Sequence, residues 1–474
     1  MPQDNIYTPP MPEDAYDQER VLHSRLRHRL LTGAWGPDLE EYIIKEIGPI
    51  RLRAWGTYDT SKNVFRNVVS QLCCLYDSPA IISHEQPGAA EELTRIVNEG
   101  GLWQFAQQLQ QITVGLREGL YRLEMVPQDD GSARLSVRVV SPDMILAEPD
   151  INEPDRPVKI TEFRLREIDG EYEWTRDVCS IEGEPYFRVL NKDGTEDLSG
   201  MFLGVDSGLT GPENYPYWCE GKPCLPYTLY HAQRTGHLFA PYFGYELVTG
   251  TLLTATLWTF WKNCVKSASW PQRYAVGVRP AGGLATTDTA RNMAFIPTDP
   301  ASLLNFEPSS DITPILGQFD PGSDPVALGE AIRAYAADLS MDFGISETDL
   351  ARLGGSPRSG YAISLSREGV RNAQKRAEPN FRRGDLETLS KISAFYNRVT
   401  GGNGNLPESG WQVSYPGAPM SPEEKSQAVE EWQILSELSL VSPVDLYMMI
   451  HSCSRETAYA ALERVALEKS RFQI

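Results

Sequence analysis

The chain is poor in the residues that usually announce catalysis or a metal. Of its 474 residues only six are His and seven are Cys. The cysteines (73, 74, 179, 219, 224, 264 and 453) are scattered, odd in number and form no CxxC. That spacing excludes a disulfide framework and reads as a reduced compartment. Cys219 and Cys224 share a loop, but no Cys/His pair follows to complete a zinc site. His231 and His237 are isolated, and there is no HExxH. The segment GVDSG at 204–208 carries Asp where a nucleophile elbow needs Ser. No phosphate-binding GxxxxGK(S/T) occurs, and TGGNGN at 400–405 fails the dinucleotide spacing. We therefore expect no catalytic residue, no metal and no cofactor.

Positive charge is also scarce. Lys and Arg total 44 against 64 Asp and Glu, a net charge of −20. Phosphate contacts need cations, so a general nucleic-acid-gripping surface is excluded, whereas enclosing DNA without holding it is not. Long apolar runs are missing as well. The best, LVTGTLLTATLWTFW at 247–261, falls short of the ~20 residues a bilayer span needs, and five of its residues are Thr. It reads as a helix buried against protein. The first twenty residues are polar and Pro-rich, without the apolar core of a secretory signal.

What is present is ordinary globular composition, 41% hydrophobic and 23% charged, at a length that suggests two to four structural units. Leu102, Trp103, Phe105, Leu109, Ile112, Leu116 and Leu120 recur at helical spacing, as do Val64, Phe65, Val68, Val69 and Leu72. From Ala133 the period changes to alternation. Turn signals at Asp130-Gly131, Asp169-Gly170 and Asp193-Gly194 then predict an antiparallel β unit over 130–235. A helix follows from Tyr242 to about Lys266, then a Gly/Pro/Asp-rich insert. Asp324-Pro325 next gives an N-cap and an N1 proline. That second helix should bury Leu328, Ile332, Tyr335, Leu339 and Phe343 and end at Gly344. After RLGGSPRSG (352–360), a long helix runs from about Ala362 to Val399, kinked by Pro379. Trp411–Tyr415 reads as a strand. Ser421-Pro422-Glu423-Glu424, Ser442-Pro443-Val444-Asp445 and Ser454 open three short C-terminal helices.

Charge is unevenly spread. Between Ala351 and Lys391 there are nine Lys/Arg (352, 358, 367, 371, 375, 376, 382, 383, 391) and four acids, so the rest of the chain is still more acidic than the average. Such a stretch either pairs with acidic neighbours or faces a polyanion.

This order of elements resembles the tailed-bacteriophage portal proteins. The most specific local match is Ser359-Gly360-Tyr361-Ala362 continuing to Arg367–Phe381, which is similar to the family's SG-x-A segment and long charged helix. Glu378-Pro379-Asn380-Phe381 stands where an E-x-x-F-like stretch is expected, with Pro379 as a departure. The C-terminal SPEEK…AVEEWQILSELSLVSPVDLYMMI is similar to the family's closing helices. The resemblance covers about 240–474 well and the first 240 residues by order and composition.

It implies an α+β portal fold with a mixed α/β wing (1–240 and 361–419), stem helices (241–268 and 323–345), a small clip insert (269–322), a tunnel loop (346–360) and a helical crown (420–474). It implies a non-enzymatic, dodecameric homo-oligomer at one capsid vertex of the virion, assembled in the host cytoplasm. Its partners would be double-stranded DNA passing through the channel, the terminase large subunit, the head–tail adaptor, and the major capsid and scaffolding proteins, with no membrane. Arg352 and Arg358 become the channel-facing candidates, Arg367, Arg371 and Lys375 further basic contacts, and Leu257, Trp258 and Trp261 subunit-packing residues. A soluble acidic enzyme, such as a carbohydrate hydrolase, is the alternative from another class, since the chain has 10 Trp, 21 Tyr and many carboxylates.

Overall fold

In the computed structural model, residues 8–472 are described except 51, 53–55, 129–130, 206–207, 270–272, 277, 281–305, 309–312, 314, 319–323, 346–359, 402–404, 417–429, 431, 433, 436–440 and 452–454. The principal helices are α1 (Ala15–Thr32), α2 (Gly36–Ile47), α3 (Val64–Leu72), α4 (Ala89–Glu99), α5 (Leu102–Leu116), α6 (Glu246–Ser269), α7 (Pro325–Asp342), α8 (Gly360–Val399), α9 (Pro443–His451) and α10 (Arg455–Phe472). The strands are β1 (Ile81–Ser83), β2 (Glu118–Pro127), β3 (Ala133–Val140), β4 (Ile145–Pro149), β5 (Pro157–Ile168), β6 (Glu171–Ser180), β7 (Tyr186–Asn191), β8 (Leu209–Thr210), β9 (Trp218–Cys219), β10 (Lys222–Pro223), β11 (Tyr227–His231), β12 (Arg273–Val276), β13 (Val278–Pro280), β14 (Phe306–Pro308), β15 (Ile315–Gln318) and β16 (Gln412–Ser414). The class is α+β, with every strand pairing antiparallel.

Two compact units emerge. The first comprises residues 1–34, 65–245 and 341–474, and the second 35–64 with 246–340. The sequence suggested 1–240 as one block. Instead 35–64 joins the α6–α7 segment, because the apolar face of α2, with Leu39 and Ile43 fully buried, packs on α6.

The first unit holds a five-stranded sheet in the order β4-β5-β6-β7-β8 and a three-stranded sheet in the order β11-β2-β3. Asp169 (φ 51°) and Gly170 (φ 87°) both lie in the left-handed region, the geometry a two-residue Asp-Gly hairpin needs between β5 and β6. Helical spacing from Leu102 runs through Leu120, yet α5 stops at Leu116. Arg117 takes φ 83°, and Leu120, Tyr121 and Leu123 are buried from β2. A buried polar cluster ties the sheets together. Arg122 of β2 donates to Glu162 (2.9 Å) and Asp177 (2.6 Å), and Asp177 also accepts from Arg166 (2.5 Å). Each buried charge is thereby paired, which low-dielectric surroundings require.

The C-terminal helix α9 begins at a reciprocal cap. The Asp445 N–H donates to Ser442 Oγ and the Ser442 N–H to Asp445 Oδ2, both at 3.2 Å. The expected start at Ser421 lies outside the described residues.

In the second unit, α6 leads into two short ladders, β12–β15 and β13–β14, and back into α7. Asp324 caps α7 through a 2.8 Å bond from the Val326 N–H, and Gly344 follows the helix at φ 81°.

Candidate functional site

The helix pair α6–α7 explains its own composition. Thr251, Thr254, Thr256 and Thr259 are buried, and each hydroxyl returns to the carbonyl four residues back at 2.7–2.9 Å. A threonine that satisfies its hydroxyl this way presents a methyl outward, so the helix buries Thr almost as it would Val. The two helices seat side chains on glycines. A Cβ at Gly250 would stand 2.5 Å from Leu339 Cδ2, and one at Gly329 would stand 3.0 Å from Trp261 Nε1. Trp261 donates its indole N–H to Pro325 O at 2.7 Å, and Arg333 lies 5.9 Å over the Trp258 ring. Contacts 250–339, 258–333 and 261–329 descend one helix as they climb the other, so the pair is antiparallel.

Of the subunit-packing candidates, Trp258 is 8% exposed and packs edge-to-face on Trp261 at 5.1 Å and 81°. Lys62 lies 5.8 Å from its ring, and the Asp59 N–H bonds Thr259 Oγ1 at 3.0 Å. Trp258 is thus covered by its own chain. Leu257 and Trp261 are half-buried. On α7, Val326 is 67% exposed and Tyr335 is 37% exposed, although helical spacing placed Tyr335 in the core. The apolar surface this unit leaves in solvent lies more on α7 than on the α6 tryptophans.

The basic stretch divides. Arg352 and Arg358 lie outside the described residues. Arg367 and Arg371 sit on α8, where only the backbone is described. Lys375 and Arg376 are exposed. Three others pair within the chain: Arg382 with Glu378, Arg383 with Asp155 (3.4 Å) and Lys391 with Glu387 (2.6 Å). Lys391 is buried and also donates to Tyr227 O at 2.5 Å. For these three the acidic-neighbour explanation of the charge run holds, and the neighbours belong to the same chain.

No protein-family model matches this chain, and no curated protein matches it. Among solved structures it is similar to a chain from the neck of an empty GTA particle computed with C6 symmetry. That similarity has a TM-score of 0.42 at 14% identity, over 85% of this chain and 94% of the other.

Helix α8 also carries a buried site that sequence reasoning missed. The Asp385 carboxylate accepts hydroxyl hydrogen bonds from Tyr76 (2.9 Å), Tyr230 (2.9 Å) and Tyr415 (2.5 Å). Burial pushes this carboxyl from an ordinary 3.8 up to about 6, against the three tyrosines, which pull it down. Gly384 makes the approach possible, because a Cβ there would collide with the Tyr230 ring. Glycine inside a helix was the only local signal. The aspartate is one of 64 acids, and two of its partners are 155 and 309 residues away. Pro379 stands within α8, which is assigned as one helix from Gly360 to Val399.

Among the described residues no group of His, Cys, Asp and Glu could hold a metal. No helix among them is long and apolar enough to cross a membrane.

Proposed function

We propose that the chain is a structural, non-catalytic subunit of a portal-type ring in a tailed-bacteriophage particle, surrounding a channel for double-stranded DNA at one capsid vertex. On this reading α6 and α7 are the stem. The β12–β15 segment is the clip that meets terminase and head–tail adaptor, and residues 420–474 are the crown. The rest of the first unit is the wing, apart from the tunnel loop at 346–360, and the wing faces capsid and scaffolding proteins. The observation that carries the reading is the antiparallel pair α6–α7, closed at one end by a small β insert and followed by the forty-residue helix α8. Net charge supports it: acidic walls repel DNA phosphates, so a duplex slides instead of sticking.

A dodecameric subunit count belongs to the same proposal. The acidic-hydrolase alternative gains nothing from the carboxylates Asp155 and Glu387, which line a cavity of the first unit, since both are engaged in ion pairs. The channel part is tested by exchanging Arg352 and Arg358 together for Glu and measuring DNA packaging in assembled particles. Intact rings with impaired packaging support a DNA contact. Normal packaging removes these arginines from the DNA path, and loss of the ring assigns them to subunit contacts.

A further inference from the structure

The first unit contains a cavity of about 430 Å3 that the structural reading above leaves without a role. It lies against the α8 turns bearing Asn380, Arg383, Glu387 and Lys391. Its mouth continues into an open cleft that shares Asp155, Arg156, Arg234 and Arg383. The volume falls in the range of small-molecule sites.

Its walls carry four cationic donors, Arg156, Arg234, Arg383 and Lys391. At the mouth Asp155 pairs with both Arg234 and Arg383, the latter at 3.4 Å, while the two guanidinia remain 45% and 37% exposed. One carboxylate between two guanidinia leaves a formal surplus of positive charge. Each guanidinium has about five N–H donors, of which a single bond to Asp155 uses one. Arg156, on the same rim, pairs with Glu153 at 2.7 Å. In the depth, Lys391 donates to Tyr227 O and Glu387. Three further wall groups, His231, Cys219 and Cys224, are neutral near pH 7. Burial, with Arg383 nearby, lowers His231 to about 4, and burial raises the thiols of Cys219 and Cys224 to about 11 and about 12. Glu220 also lines the cavity and adds a third carboxylate to the paired Asp155 and Glu387.

We propose that this cavity binds a small oxyanion, a phosphate or a carboxylate, through Arg234 and Arg383, with Asp155 acting as a built-in competitor for the same guanidinia. Planar guanidinium forks suit either oxyanion, and both arginines are already held toward one carboxylate. The competitor gives the site a signature that an ordinary salt bridge lacks. Removing an arginine weakens binding, and removing the aspartate's charge strengthens it.

The test is isothermal titration of the full-length protein with inorganic phosphate, and separately with acetate, at low ionic strength. The site predicts saturable binding of one anion per chain, weakened about tenfold or more in Arg383→Gln and in Arg234→Gln. Asp155→Asn should tighten it several-fold, with the far-ultraviolet circular dichroism of every variant unchanged. Saturation by phosphate alone identifies a phosphoryl ligand, and saturation by acetate alone a carboxylate. Arg234 is exposed on the rim, so its variant decides the matter should Arg383→Gln fail to fold. Absence of saturation by either anion overturns the proposal. Equal affinity in wild type and Arg234→Gln does the same.

Discussion

Replacing Asp385 with Asn gives the sharpest stability prediction. In the folded chain this carboxyl titrates at about 6, against an ordinary 3.8. The folded state therefore holds its proton more tightly than the unfolded state between those values. Protonated Asp385 contributes stability that is fully present below pH 4 and is lost as pH rises through 6. A shift of about two units is worth on the order of 3 kcal/mol. Other groups move with pH too: Glu118, raised to about 7 by burial, acts in the same sense, and His231, lowered to about 4, acts in the opposite one. Subtracting the Asp385→Asn curve from the wild-type curve cancels both. Thermal unfolding should be followed from pH 4 to pH 7 in both proteins. The wild type should lose roughly 2 kcal/mol relative to the variant over that range, since part of the effect is already gone at pH 4. A difference that stays flat across pH 4–7 would mean that Asp385 carries the same proton occupancy folded and unfolded, and the reasoning from burial would fail.

Gly384→Ala should destabilise by ~2 kcal/mol, although alanine is the better helix former, because the added Cβ meets the Tyr230 ring, itself fixed by Asp385 and Thr388. A higher melting temperature in that variant would show the ring to be free to move. Trp261→Ala removes a half-buried indole and its bond to Pro325 O, and should cost about 2 kcal/mol in unfolding of the second unit. An unchanged denaturation midpoint contradicts the helix-pair packing. Truncation before Met420 should leave soluble oligomers of unchanged symmetry by size exclusion with light scattering, since α9 carries its own cap. Insoluble or monomeric product would make the C-terminal helices part of ring closure.

Local chemistry made much of the architecture readable. Asp324-Pro325 and Gly344 bracket α7 because capping and the left-handed C′ position depend on neighbours a few residues away. The same locality made Ser442 and the Asp169-Gly170 turn legible. Long-range features were not. Residues 35–64 carry an ordinary amphipathic pattern, and nothing in it says that its apolar face meets α6 two hundred residues on. Leu120 kept the helical period of α5 by coincidence, and only the positive φ of Arg117 ends that helix. The Asp385 site and the Arg234–Asp155–Arg383 group are built from segments that only the finished fold brings together. Trp258 shows the limit of composition: an apolar helix does want cover on several faces, and here its own chain supplies much of it.

Copies of this chain are expected to close into a ring around a hole. Negative-stain imaging of the purified full-length protein, with class averages viewed down the long axis, tests it most directly. The expected result is annular particles with cyclic symmetry, a stain-filled central channel wide enough for a DNA duplex, and a mass that is a whole multiple of 53.0 kDa. Monomers at micromolar concentration, or compact particles without a central channel, would contradict it.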